Sequence, residues 1–406
     1  MKMKRISTIL LALLMLISFT ACNLDNNGIL YRGPNRTPSD NKNRNYIGHT
    51  SDTVYFVTSD GLSQAKLNGT SLTDDQVISS NSIFQHYFQG HGWMVGNDIV
   101  WLEDNQGEQN YYLITPTTDP VGITKLEVKY GTETTELKTP KYLYRYYSDD
   151  YDPYLVVKEE KDSNAVVYTA TVEAKAKTLT LTQVLNMDTS FDSSEDLDFN
   201  YSGSVNGLLW STITSKDDSG KETTTTTYMY ALPDSNGSST TPVTVTFSHD
   251  VTSEDETPTT EEVTVAPSTI KSVYEKDGYL FVLTSSSSQI TIYSNYVTTG
   301  NPGTATEGNL TLKELATVSA SYNSSFPIYY REGKLIFLDY NISDSSVMYF
   351  VDLTREKETA SDSLSSGIEA EAFIDLTGDE DDDIYMMTKN HGFFKVSLSS
   401  NSVSEI

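Results

Sequence analysis

The sequence predicts an all-β chain wound into a seven-bladed β-propeller with little helix, and three observations carry that reading. A short phrase recurs, in which one or two turn residues precede four or five apolar residues. Its copies fall at a spacing near fifty residues. Sustained helical periodicity is almost absent between them. The copies are Asp52-Thr53-Val54-Tyr55-Phe56-Val57, Gly96-Asn97-Asp98-Ile99-Val100-Trp101-Leu102, Asp152-Pro153-Tyr154-Leu155-Val156-Val157 and Asn206-Gly207-Leu208-Leu209-Trp210. They continue with Asp277-Gly278-Tyr279-Leu280-Phe281-Val282-Leu283, Glu332-Gly333-Lys334-Leu335-Ile336-Phe337-Leu338 and Asp382-Asp383-Ile384-Tyr385-Met386-Met387. Comparing Val54, Ile99, Leu155, Leu209, Leu280, Leu335 and Ile384 gives steps of 45, 56, 54, 71, 55 and 49 residues. That period, with hairpins inside it, is a propeller pattern.

The physical reason lies in the absence of alternation within each phrase. An apolar run without polar residues between is a strand buried on both faces, and stacking blades around an axis buries both faces of each inner strand. Most runs are followed by a turn and a second strand bearing an aromatic, as in Asn110-Tyr111-Tyr112-Leu113-Ile114, Val166-Val167-Tyr168-Thr169, Tyr228-Met229-Tyr230, Ile290-Thr291-Ile292-Tyr293 and Val347-Met348-Tyr349-Phe350. The two chain ends resemble each other most. Val54 to Leu62 aligns with Ile384 to Phe393 with one inserted residue, as suits units that become neighbours when a ring closes and removes exposed strand edges.

Taken from the beginning, the chain divides into residues 1–21, residues 22–44 and a repeat region at 45–406 of about seven units. Lys2, Lys4 and Arg5 precede the apolar run Ile9 to Ile17, then Ser18-Phe19-Thr20-Ala21-Cys22, the order of a secretory signal too short to span a bilayer. Residues Phe19-Thr20-Ala21-Cys22 resemble the lipobox of bacterial lipoproteins, with Phe19 where Leu is usual. The resemblance implies cleavage before Cys22, a diacylglyceryl thioether on Cys22 and an amide-linked acyl chain such as palmitate. It places the protein in the bacterial cell envelope, anchored to a membrane by lipid. Asn23 after Cys22 resembles lipoproteins destined for the outer membrane rather than those retained at the inner one. From Asn23 to Arg44 the composition is that of a solvated tether.

Charge narrows the functional classes. The chain holds 28 basic and 56 acidic residues, and loss of residues 1–21 removes three bases and no acid. Such a surplus of carboxylates repels phosphate backbones and anionic headgroups, so neither a nucleic-acid partner nor a polybasic membrane face is expected. Lipid alone is the expected membrane contact. Cys22 is the only cysteine, so no disulfide is available and stability must come from buried apolar surface.

The spacers between repeats are Ser/Thr/Asp/Gly/Pro runs, among them Ser215 to Thr227, Asp234 to Thr241 and Thr252 to Thr260. They read as long loops around 211–267 projecting from the rims. The 71-residue step there implies one blade with insertions that include the strand Val243 to Phe247, or else an added β module. Leu310 to Ala320 and Thr354 to Ser363 have weak helical composition without an apolar stripe.

Two local patterns are candidate sites. The run from Asp375 to Ile384 sets side-chain oxygens at alternate positions of a tight loop, suited to a cation that takes six to eight oxygens. It is similar to the Asp-x-Asn-Gly-Asp-Gly-x-x-Asp loops of integrin-like propeller repeats, and by that resemblance Asp375, Thr377, Asp379, Asp381 and Asp383 would hold Ca2+. Thr377 in place of Asn and Glu380 in place of Gly depart from the pattern, and the other reading is a solvated acidic loop. Tyr142, Tyr144 and Tyr146 alternate with Leu143 and Arg145, which puts three phenols on one strand face. Such a platform can stack sugars or anchor a protein, or else serve blade packing alone.

Catalytic signatures are sparse. His49, His86, His91, His249 and His391 lack the spacing of a helical zinc site, and no Gly-x-Ser-x-Gly elbow or phosphate-cradling glycine loop occurs. Ser215 to Gly220 is similar to the Asp-box turn of sialidase-like propellers, with one residue too many and no following aromatic. Those enzymes use several arginines, and the repeat region has only Arg145, Arg331 and Arg355. The expected role is a protein- or glycan-binding and assembly module. A glycan-active enzyme with carboxylates meeting at the central channel is the alternative, and a passive calcium-stabilised scaffold is a third.

The acidic run yields a direct test. Millimolar calcium is expected to raise the thermal midpoint and a chelator to reverse the rise; an unchanged midpoint removes calcium from the account.

Overall fold

Seven antiparallel meanders follow one another along the chain in a computed structural model. It describes residues 45–405 except 51, 69–70, 73–75, 85–90, 106–107, 131–142, 147–153, 159–164, 187–198, 206, 217–219, 234–239, 252–258, 277, 287–288, 298–307, 320–327, 332, 341–345, 354–358, 365–369, 375–382 and 389–391. The first blade holds β1 (Asn45–His49), β2 (Thr53–Thr58) and β3 (Gly61–Asn68), with β4 (Ser71–Leu72) and β5 (Gln76–Ser79) sharing the outer position. The second is β6 (His91–Val95), β7 (Asp98–Asn105), β8 (Glu108–Thr115) and β9 (Gly122–Lys125). After β10 (Glu127–Tyr130), the third comprises β11 (Leu143–Tyr146), β12 (Tyr154–Lys158), β13 (Ala165–Glu173) and β14 (Thr178–Asn186).

The fourth blade has longer strands. It consists of β15 (Phe199–Val205), β16 (Leu208–Lys216), β17 (Glu222–Pro233) and β18 (Thr240–Val251), with β19 (Thr259–Val263) added against β18. The fifth is β20 (Ile270–Lys276), β21 (Tyr279–Ser285), β22 (Ile290–Ser294) and β23 (Asn309–Val318). The sixth is β24 (Ile328–Arg331), β25 (Lys334–Tyr340), β26 (Ser346–Asp352) and β27 (Thr359–Leu364), and the seventh β28 (Ala370–Ile374), β29 (Asp383–Thr388), β30 (Gly392–Ser397) and β31 (Ser402–Glu405).

Each apolar phrase of the sequence is the second strand of a blade, and on five of these strands the alternate residues serve different neighbours. On β2, Tyr55 and Val57 pack with Ile99 and Trp101 of the second blade. Val54 and Phe56 turn the other way, onto Tyr385, Met387 and Phe393 of the seventh. The same division recurs on β7, β21, β25 and β29. Leu335 and Phe337 of β25, for instance, face the fifth blade while Ile336 and Leu338 face the seventh. Six consecutive residues of β2 and six of β21 are buried. The apolar clusters run from blade to blade around the whole ring and meet where the first blade touches the last, with Phe56 and Phe393 at 6.4 Å centroid separation. The fold is a closed all-β propeller of seven blades.

Among the described residues, main-chain bonds reinforce two of these interfaces. The strand β10, leaving the second blade, pairs in parallel with β14 of the third, Glu127 opposite Thr178. The strand β23 pairs first with β18 of the fourth blade, Asn309 opposite Thr244, and then with β22 of its own. Among the described residues the seventh and first blades share no strand, so that seam is held by side chains. Between blades six and seven, Lys334 Nζ donates to the Leu398 carbonyl and to Asn401 Oδ1 at 3.2 Å.

Two glycines are dictated by geometry. Gly278 has φ of 79°, a left-handed conformation that glycine adopts without Cβ strain. Its N–H donates to Glu275 Oε1 at 2.8 Å and its carbonyl accepts from Asn295 Nδ2 at 2.9 Å, which fixes the turn into β21. At Gly92 a Cβ would stand 2.9 Å from Trp101 Cε3 and 3.2 Å from Ile47 side-chain carbons, because β1 and β6 approach closely at the inner ring.

The polar spacers of the fourth blade depart from the loop reading. Glu222 to Thr227 belong to β17, Thr240 and Thr241 to β18, and Thr259 and Thr260 to β19. Threonine is a strand former whose hydroxyls bond across the ladder, here Thr212 with Thr226 and Thr214 with Thr224, each at 3.1 Å. The strand Val243 to Phe247 is the outer strand of the same blade, so the long step is an elongated blade. Leu310 to Val318 and Thr359 to Ser363, within the two weakly helical stretches, are strand in β23 and β27.

Truncating Phe56 to alanine empties a fully buried position at the seam and is expected to cost about 3–5 kcal/mol in urea unfolding. A loss below about 1 kcal/mol would contradict closure of the ring through that side chain.

Candidate functional site

The elongated strands of the fourth blade build the most distinctive surface. The strand β18 has two edges, and Thr244 to Ser248 pair with β23 along one of them. On the other edge Thr240 to Val245 pair with β17, and from Phe247 to Val251 the partner becomes β19. The outer half of β17, Glu222 to Thr227, meanwhile pairs with β16. The blade therefore splits beyond Tyr228 into two prongs, β16 with β17 and β18 with β19.

The base of this split is apolar and fixed. The Tyr228 hydroxyl donates to the Val265 carbonyl at 2.6 Å, bridging β17 to the segment that follows β19. Its ring meets Phe247 edge-on at 5.3 Å, and Phe247 meets Tyr293 of β22 at 5.2 Å. Above the base the side chains turn polar. Thr223 to Thr225 and Thr259 to Glu262 are exposed. The second prong is braced by Lys313 Nζ at 2.5 Å from Asp250 Oδ2 and by Thr260, which donates to Asp250 Oδ1 at 3.1 Å. The Lys313 hydrogen bond, helped by Thr260, holds the Asp250 carboxyl below its usual range. Thr246 and Thr311 join the two blades at 3.0 Å.

The innermost strands line the axis and carry aromatic residues. Lys276 Nζ of β20 sits 5.2 Å from the Tyr329 ring centroid, and Tyr329 tilts against Phe373 of β28 at 6.2 Å. Tyr279, Tyr296 and Tyr330 pack mutually within 5.2–5.9 Å between the fifth and sixth blades. On β20 the carboxylate of Glu275 is fully buried and engaged by the Gly278 N–H. Among the described residues no group of His, Cys, Asp and Glu is placed to hold a metal ion.

The residues singled out from sequence are distributed as follows. Cys22, Tyr142, Asp375, Thr377, Asp379 and Asp381 lie outside the described residues. Tyr144 and Tyr146 stand on β11, the innermost strand of the third blade, opposite Val156 and Tyr154. Asp383 opens β29 opposite Ser397. His91 opens β6, His49 Nδ1 is 3.1 Å from the Thr50 carbonyl oxygen, and His249 of β18 stands opposite Glu261 of β19. The described helices include none long and apolar enough to cross a membrane. The two-pronged blade escapes a sequence reading because its threonines look like loop composition; their unbroken run from Thr223 to Thr227 is the signal that points to a strand.

No protein-family model and no curated protein matches the chain. Among solved structures it is similar to extracellular domains 1–2 of Drosophila Semaphorin 1b, with 10% identity, 89% of this chain and 85% of that one covered, and a TM-score of 0.36. The β-propeller domain of the Trilobed protease from Pyrococcus furiosus, described as having an open velcro topology, gives 8% identity, 87% and 95% coverage and a TM-score of 0.39. The WD40 domain of SCAP from fission yeast gives 10%, 89% and 86%, and 0.36. The blade count rests on the seven meanders of the chain itself.

Buried phenols set an alkaline limit on this region. Burial pushes Tyr228 far above the usual phenol range, and burial with Glu314 raises Tyr293, as burial with Asp52 raises Tyr55. A raised folded-state value means the stabilisation is full below the unfolded phenol value of about 10 and is lost as pH climbs toward the folded one. The thermal midpoint is expected to hold from pH 7 to 9 and fall between 10 and 11.5, less steeply in Tyr228→Phe. A flat profile to 11.5 contradicts the burial of these hydroxyls.

Proposed function

We propose that the chain is a lipid-anchored lipoprotein of the bacterial cell envelope whose propeller serves as a protein- or glycan-binding and assembly module. The observation that carries the binding reading is the fourth blade. Its polar prongs extend past the packed core on a scaffold fixed by apolar interfaces, and recognition surfaces commonly stand on such rigid supports. The lipobox-like Phe19-Thr20-Ala21-Cys22 supports the anchoring, with the flanking basic and apolar residues in signal order. The acidic balance supports attachment through lipid rather than through a basic surface.

In cells, Cys22→Ser is expected to move the protein from the membrane to the soluble fraction of the envelope; retention in the membrane fraction would overturn lipid anchoring. Mild crosslinking of the wild-type protein is expected to recover a specific envelope partner joined through the fourth blade. Recovery of bulk lipid alone would remove the binding role.

A further inference from the structure

The split of the fourth blade leaves β19 at the margin of its sheet. Among the described residues β19 pairs with β18 alone, and residues Thr259 to Glu262 are exposed. Alternate N–H and C=O groups of a strand point to its two sides, so one side of β19 bonds β18 and the other presents main-chain donors and acceptors outward. Across the split runs the outer half of β17, where Thr224 to Thr227 pair with β16. Both strands run from the prong tips toward the base at Tyr228 and Val265, so the two margins are parallel in direction.

From this geometry we infer that the outer edge of β19 binds an extended, cationic polypeptide segment by strand addition. This rests on the binding-module reading and names its partner class and its mode. The periodic main-chain groups of an edge are matched by another main chain, which selects a polypeptide over a glycan. Charge selects its sign. Glu261 and Glu262 are adjacent on β19 and thus on opposite faces, so carboxylates flank an added strand on both sides, within a chain of 56 acids to 28 bases. The same acids set a second copy of this chain against itself, since two β19 edges brought together oppose like charges. The docking edge is also held in place, because Thr260 bonds Asp250 and Asp250 pairs with Lys313 of the next blade.

The experiment uses the full-length chain in detergent and a fluorescein-labelled twelve-residue peptide alternating Lys and Thr. Two control peptides accompany it, one N-methylated at alternate residues with unchanged charge and one with Glu in place of Lys. Strand addition requires that the parent peptide bind, that both controls bind at least tenfold more weakly, and that amide exchange slow at 259–263. It also requires at least a tenfold loss in Glu261→Lys/Glu262→Lys, whose exposed positions leave the thermal midpoint unchanged. Equal binding of the N-methylated peptide shows charge attraction alone and overturns the inference, as does equal binding by the charge-reversed variant or no binding of the parent peptide. Crosslinking in cells separates the two readings. An envelope partner retained by the charge-reversed variant overturns strand addition and leaves the module standing, whereas loss of that partner supports it.

Discussion

Double burial of the second strand, as on β2, β7, β21, β25 and β29, is the constraint on which the rest of the molecule depends. A strand whose odd residues serve one neighbour and whose even residues serve the other cannot be satisfied in a lone sheet. Each blade completes the next, and the arrangement ends only when the last meets the first, as Phe56 and Phe393 do. In a chain whose only cysteine lies ahead of the fold, this apolar contact between blades takes the part that disulfides play in many exported domains.

The fourth blade shows what happens where that constraint lapses. Its strands keep their ladder beyond the core, but β17 and β19 turn to threonine and glutamate that are largely exposed, while β18 stays braced by β23 of the next blade. Freed from packing, the sheet divides, and β18 exchanges one partner for another along a single edge. The rigidity made by Trp210, Tyr228, Phe247 and Tyr293 below is what gives the polar prongs a defined position above.

The ring was legible because its signal is local and strong. An unbroken apolar run such as Leu280 to Leu283 has one good explanation in a chain without helical periodicity, and each of the seven phrases marks a second strand. The prongs were not legible for the opposite reason. Thr223 to Thr227 has the composition of a solvated spacer, and the strand signal in its unbroken threonine run is weak until Thr212 and Thr214 supply hydroxyl partners. Pairings that join distant segments, Thr246 with Thr311 or Glu127 with Thr178, leave no periodic trace at all. Nothing in the sequence around Gly92 signals that Ile47 and Trp101 crowd it. Of the aromatic run on β11, the backbone places Tyr144 and Tyr146 at the inner ring, a location that spacing alone did not specify.

The seam between the terminal blades has a temporal side. Because no strand is shared there among the described residues, the surface of Val54 and Phe56 finds its cover in Tyr385, Met387 and Phe393, residues made more than three hundred positions later. During synthesis, the earliest blade must wait with one oily flank uncovered until the final blade arrives. Contacts so remote in chain order close slowly and leave intermediates prone to sticking. The molecule thus depends, for that interval, on being kept apart from others of its kind.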